Sequence, residues 1–181
     1  MKGIVFTEFL QMVEDVFSAN MVDDIIDETN PASGGAYTNV GTYDHREIVN
    51  MVIELSKRTG IGVNELIRSF GQHLFMRFTL GYPGFFQGID DAFVFLSGIE
   101  NIIHAEVRKL YPDAELPRFE TEYYDAKKLI LLYKSSRHFE DLAEGLILGC
   151  IDHFKQNISV QRETVGDGES RYERFSLNLL D

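Results

Sequence analysis

The sequence predicts an α+β fold, a helical N-terminal region followed by a β-β-α-β-β unit with an antiparallel sheet. Three observations carry this. Apolar residues recur at helical spacing over the first two-thirds of the chain, the pattern changes to short strands near Arg118, and Gly166-Asp167-Gly168 separates two late strand patterns as a hairpin would.

Phe6 to Phe17 places Phe6, Phe9, Leu10, Val13, Val16 and Phe17 near helical spacing, with Glu8, Gln11, Glu14 and Asp15 between them. Val22 to Thr29 reads as a short second helix, and Asn30-Pro31-Ala32-Ser33-Gly34-Gly35 as a loop. Asp44 is placed to cap a helix over 45–58 that stops at Gly60, and Asn64 to cap the next, which runs to about Leu80. A further helix is predicted from Asp90 to Leu110, before Pro112. Arg118 to Tyr124 and Lys128 to Lys134 read as strands turning at Asp125-Ala126-Lys127. Phe139 to Gln156 is helical, and Ile158 to Val165 and Arg171 to Leu180 are the last strands.

The 181 residues suit one domain, and a chain of this size buries about 70% of its unfolded surface. Seventeen Lys and Arg against 29 Asp and Glu give a net charge of −12, which argues against phosphate-driven nucleic-acid binding and against anionic membranes. The single cysteine, Cys150, excludes an internal disulfide framework and a cysteine zinc site. No apolar run reaches the ~20 residues of a membrane span, and Glu8 interrupts any signal-peptide core. The expected class is a soluble, acidic, cytoplasmic single domain.

Few residues point to chemistry. Gly60-Ile61-Gly62 lacks the third glycine of a dinucleotide loop and reads as a helix–helix connection. The adjacent pairs Asp23-Asp24, Asp90-Asp91 and Glu140-Asp141 split across helix faces and read as solvated surface or caps. No acid–base or nucleophile constellation is visible, so no enzyme is expected. His104 lies roughly 120° from the stripe of Ile99, Ile102, Ile103, Val107 and Leu110, so periodicity makes it exposed unless that second face meets something other than the core. If the strand continues past Lys134, Tyr133, Ser135 and Arg137 share one face, and two hydroxyls with a guanidinium suit a carboxylate. A polar strand end packed on water is the alternative.

These residues also carry a resemblance. The opening Met1-Lys2-Gly3-Ile4-Val5-Phe6, the histidine of Ile102-Ile103-His104, Leu116-Pro117-Arg118-Phe119, and Tyr133-x-Ser135-x-Arg137 followed by Gly145 resemble the haem-nitric-oxide/oxygen-binding (H-NOX) family across essentially the whole chain. The resemblance implies haem b between two lobes, a distal helical lobe over roughly 1–60 and a proximal lobe in the remainder, 61–181. His104 would be the proximal axial ligand, Tyr133, Ser135 and Arg137 would hold the propionates, and Pro117 would press on the porphyrin and distort it. The distal pocket would comprise Val5, Phe9, Leu74, Phe78, Leu142 and Leu146. Relatives that bind oxygen stably carry a tyrosine five residues beyond the arginine, where this chain has Leu142. The resemblance therefore implies a sensor of nitric oxide that also binds carbon monoxide, in which nitric oxide weakens or breaks the iron–His104 bond and the lobes shift. Some relatives carry a multi-cysteine zinc site; with one cysteine, none is expected here. With Asp181 following directly on the last predicted strand, a separate partner is expected, a histidine kinase or a cyclic-di-GMP enzyme. Two other readings remain: an oxygen or redox sensor taking its donor from Tyr82 or His73, and a haem-free interaction module.

Overall fold

A computed structural model describes residues 1–180, the Glu169 side chain excepted; Asp181, the last residue of the expected domain, lies outside the described residues. Seven α-helices and four strands are described: α1 Gly3–Val16, α2 Ala19–Thr29, α3 His45–Thr59, α4 Val63–Gly81, α5 Ala92–Ser97, α6 His104–Leu110, β1 Arg118–Tyr124, β2 Lys128–Lys134, α7 Glu140–Phe154, β3 Ile158–Val165 and β4 Tyr172–Leu179. The predicted α+β order is observed.

Local chemistry sets most boundaries. The Asp44 carboxylate accepts the Arg46 N–H and starts α3, and Gly60 closes it at φ +75°, a left-handed conformation that glycine adopts without strain. Three boundaries differ from expectation. Helix α2 begins at Ala19, because the Ser18 hydroxyl caps it by accepting from Met21 N–H. Gly62 precedes α4, so Asn64 lies inside the first turn and not at the cap. Helix α7 spans Glu140–Phe154 and ends where Lys155 turns left-handed at φ +54°. Asp91 caps α5 through the Val94 N–H, as expected for part of the Asp90-Asp91 pair.

The largest departure is in the predicted Asp90–Leu110 helix. It is three pieces: α5, a π-helical turn Ile99–Ile103, and α6. The π turn inserts one residue, and each residue advances a helix by about 100°, so the apolar phase before Gly98 no longer predicts the faces after it.

The sheet is antiparallel in the order β1-β2-β4-β3. Register pairs Leu129 with Leu177 and Leu131 with Phe175. These four side chains are buried with Ala143, Ile147, Cys150 and Ile151 of α7 in one hydrophobic cluster. A second cluster joins α1, α2, α3 and the first half of α4 through Phe6, Phe9, Val13, Ile25, Met51, Leu55, Leu66 and Phe70. Helix α4 serves both, with Leu74 in the second cluster and Phe75 in the first.

Helices α4 and α7 meet backbone to backbone. A Cβ on Gly145 would stand 2.1 Å from the Arg68 carbonyl oxygen and 2.9 Å from Gly71 Cα, and one on Gly71 would stand 2.5 Å from the Leu142 carbonyl. Backbone cannot rotate away as a flexible side chain can. Among the described residues, no helix is long and apolar enough to cross a membrane. Gly145→Ala is expected to destabilise the protein by about 2–3 kcal/mol through overpacking, whereas Gly81→Ala, with open space at its Cβ position, is expected to be neutral or stabilising by up to about 1 kcal/mol. Urea unfolding midpoints of the two variants check this contrast.

Candidate functional site

A cavity of 970 Å³ opens between the two hydrophobic clusters, at the upper end of the range for small-ligand pockets. His104 stands on its wall and is 9% exposed. This overturns the exposed position that uniform helical spacing predicts, because the π turn resets the phase: the His104 N–H bonds back to the Ile99 carbonyl, five residues away. His104 Nδ1 lies 3.1 Å from Glu100 Oε2. A carboxylate only accepts, so Nδ1 carries the proton and Nε2 keeps its lone pair. No described residue hydrogen-bonds Nε2. Burial lowers the His104 pKa, while the Glu100 bond works the other way. Burial would raise the Glu100 pKa, but hydrogen bonds from Arg108, His104 and the Phe119 N–H outweigh it and hold that carboxyl below its ordinary value.

Tyr133, Ser135 and Arg137 line the same cavity. They do not do so by strand alternation, since β2 ends at Lys134. A turn gathers them instead. The Ser135 hydroxyl accepts the Arg137 N–H at 3.2 Å, and His138 follows at φ +53°. Tyr133 is buried against Phe119, with ring centroids 5.2 Å apart. Burial pushes its hydroxyl up to about 12, so it remains a donor at neutral pH. The Arg137 guanidinium donates to the Glu115 backbone carbonyl at 3.2 Å and to the Glu115 carboxylate, so it already binds a carboxylate in this structure.

The rest of the wall is largely apolar. Val5 of α1, Leu74 and Phe78 of α4, Leu142 and Leu146 of α7, and Pro117 all line it. Phe9 does not. It is fully buried, its ring edge-on to Phe70 at 5.4 Å, and belongs to the helical core behind the wall. His73 also lies away from the cavity, 3.9 Å from Glu8, and its Nε2 is buried without a hydrogen bond. Tyr82 does line the cavity, and burial raises the pKa of its hydroxyl. Sequence reasoning missed Glu100, whose only signal was its position four residues before His104, as well as the rim residues Lys2, Asp113 and Glu115. Lys2 is bound there by Asp113 at 2.8 Å. Glu140 and Asp141, expected at the surface, instead pair with Arg171 and Arg162.

Residues 2–162 match the family model described as Haem-NO-binding. Among solved structures, the chain is similar to the unliganded Fe(II) H-NOX protein from K. algicida, with 38% identity and a TM-score of 0.92 over 100% of this chain and 97% of that one. It is similar to the IWP-051-bound H-NOX from Shewanella woodyi in the Fe(II)CO state, with 37% identity and a TM-score of 0.85 over 99% and 95%. It is also similar to an H-NOX protein from S. oneidensis in the Fe(II)NO state, with 25% identity and a TM-score of 0.91 over 100% of both chains. No curated protein sequence matches.

The donor set fits a haem. One imidazole with a free Nε2 faces a large apolar cavity, and a carboxylate-binding turn opens on the same space. Among the described residues, no group of three His, Cys, Asp or Glu is placed to hold a metal ion. Cys150 is fully buried, and burial pushes its thiol well above the ordinary range. In the native protein, Cys150 is expected not to react with a thiol reagent over the time in which the unfolded protein reacts completely; equal rates, read by mass spectrometry, would contradict the burial argument.

Proposed function

The chain belongs to the haem-NO-binding family of H-NOX domains, which are haem-based gas sensors, and on that premise we propose that it senses nitric oxide through a haem held by His104 and signals to a separate partner protein. The observation that carries this reading is the single cavity shared by a buried histidine with one nitrogen free, a carboxylate-binding turn and an apolar wall.

Ferrous haem b, when bound, supplies an iron with one open axial position for a diatomic gas. His104 would hold that iron through Nε2, with its ring orientation fixed by Glu100. The hydroxyls of Tyr133 and Ser135 and the Arg137 guanidinium would hold the propionates, in place of the Glu115 carboxylate that Arg137 now binds. Pro117, on the cavity wall, would lie against the porphyrin. Val5, Leu74, Phe78, Leu142 and Leu146 exclude water and offer no hydrogen-bond donor to a bound gas. Bound oxygen is polarised and gains from a donor, whereas nitric oxide and carbon monoxide need little such help.

Signalling needs a partner that contacts two states differently. His104 is the only buried residue of α6, so that short helix would be the element most directly coupled to the ligand His104 holds. A histidine kinase or a cyclic-di-GMP enzyme in the cytoplasm is the partner class this reading takes. The acidic surface, with its net charge of −12, suits a basic patch on it.

Visible absorption of the reduced, purified protein tests the proposal. A five-coordinate ferrous haem band that changes with nitric oxide and stays unchanged in oxygen is expected, and a stable oxygen complex would overturn the apolar-pocket argument. Absence of haem after reconstitution would leave the haem-free interaction module. Leu142→Tyr, which adds a donor worth about 1.4 kcal/mol to that wall, is expected to raise oxygen affinity about tenfold, measured by oxygen titration of the ferrous variant.

A further inference from the structure

Glu100, His104 and Arg108 stand four residues apart in sequence, and the fold joins them in a line from the cavity to the surface. Glu100 Oε2 accepts from His104 Nδ1 at 3.1 Å and from the Phe119 N–H at 3.3 Å, while Oε1 accepts from Arg108 at 2.6 Å. The Glu100 side chain is 27% exposed and the Arg108 side chain 48% exposed. The histidine thus meets a carboxylate within the protein, and that carboxylate meets a cation at the surface.

We propose that Glu100 sets the strength of the bond His104 makes to iron, and that Arg108 sets Glu100, so that the charge around a surface arginine is felt at the axial ligand. This rests on the assignment of His104 as that ligand. A carboxylate that accepts the Nδ1 proton gives the ring imidazolate character, which strengthens donation from Nε2 and stabilises the ferric state. Arg108 opposes this. Its guanidinium shares the carboxylate's charge through Oε1, leaving less for the His104 bond. Loss of Arg108, or its capture by an acidic group on a partner, returns that charge to Glu100 and tightens the hold on iron. The two residues therefore act with opposite signs, which a merely structural role for Glu100 as acceptor for the Phe119 N–H does not predict.

The test is resonance Raman spectroscopy of the reduced, gas-free haem protein, paired with the midpoint potential of the iron. Glu100→Gln keeps the shape and an acceptor oxygen but removes the charge. It is expected to lower the iron–histidine stretching frequency and raise the potential. Arg108→Ala is expected to move both readouts the opposite way. Unchanged values in both variants, or shifts of the same sign, overturn the proposal. If Glu100→Gln does not load haem, Arg108→Ala, altered at a half-exposed position, decides alone: a higher frequency supports the proposal, and an equal or lower one overturns it. A parent protein without any iron–histidine band would sink the assignment of His104 itself. A parent band that neither variant shifts would sink this inference alone.

Discussion

The backbone contact between α4 and α7 fixes the geometry on which everything else is built. Gly71 and Gly145 let the two helices approach more closely than any side chain permits, with Gly145 directly against the Arg68 carbonyl. Each helix also spans both hydrophobic clusters. Helix α4 gives Leu74 to the helical cluster and Phe75 to the sheet cluster, and in α7 Leu142 packs on the first while Ala143 and Ile147 belong to the second. The width of the cavity is therefore set by a contact outside it, between two helices that supply much of its wall.

A cavity wall made largely of apolar side chains must still be held in place by polar groups. Arg162 of β3 does much of this, reaching Asp141 and Glu144 of α7 at 2.8 Å each. Glu173 of β4 is only 4% exposed, and buried carboxylates need partners. It accepts from Thr164 at 2.8 Å and lies 3.3 Å from Arg171, which in turn binds Glu140. Leu142 sits between these tethered acidic residues, so its place in the wall is fixed by charges on the far side of α7. Glu140 and Asp141 also occupy the first turn of α7, where the helix dipole favours them.

Most of the architecture was readable because its signals are local. Asp44, Gly60 and the apolar run from Leu129 to Tyr133 each act within a few residues, and the structure shows the elements they predict. The site was read less fully, for reasons that differ by residue. His104 was misplaced by periodicity because a π turn has no spacing signature, and only the family resemblance turned it inward. Ser135 and Arg137 converge with Tyr133 through a turn, although strand alternation gave the same answer for a different geometry. Phe9 and Leu74 are equally apolar in sequence, yet only Leu74 reaches the cavity, because burial depth depends on how α1 packs against α4. Helical spacing puts Glu100 on the face of His104, but spacing alone does not say that its carboxylate will accept from the ring.

The distribution of burial explains why this arrangement suits a sensor and not a store. Sheet, α7 and α5 contribute many fully buried side chains, and the helical cluster does the same on its side. Between them, the π turn contributes no buried residue and α6 contributes His104 alone. Segments with few buried apolar contacts are the ones that open at low free-energy cost. The residue proposed to feel the gas is thus the one buried residue of a short helix, flanked by two well-packed cores. A change in the hold on His104 has little to work against in α6, and much to work against elsewhere. The same short helix carries Arg108, whose side chain is 48% exposed.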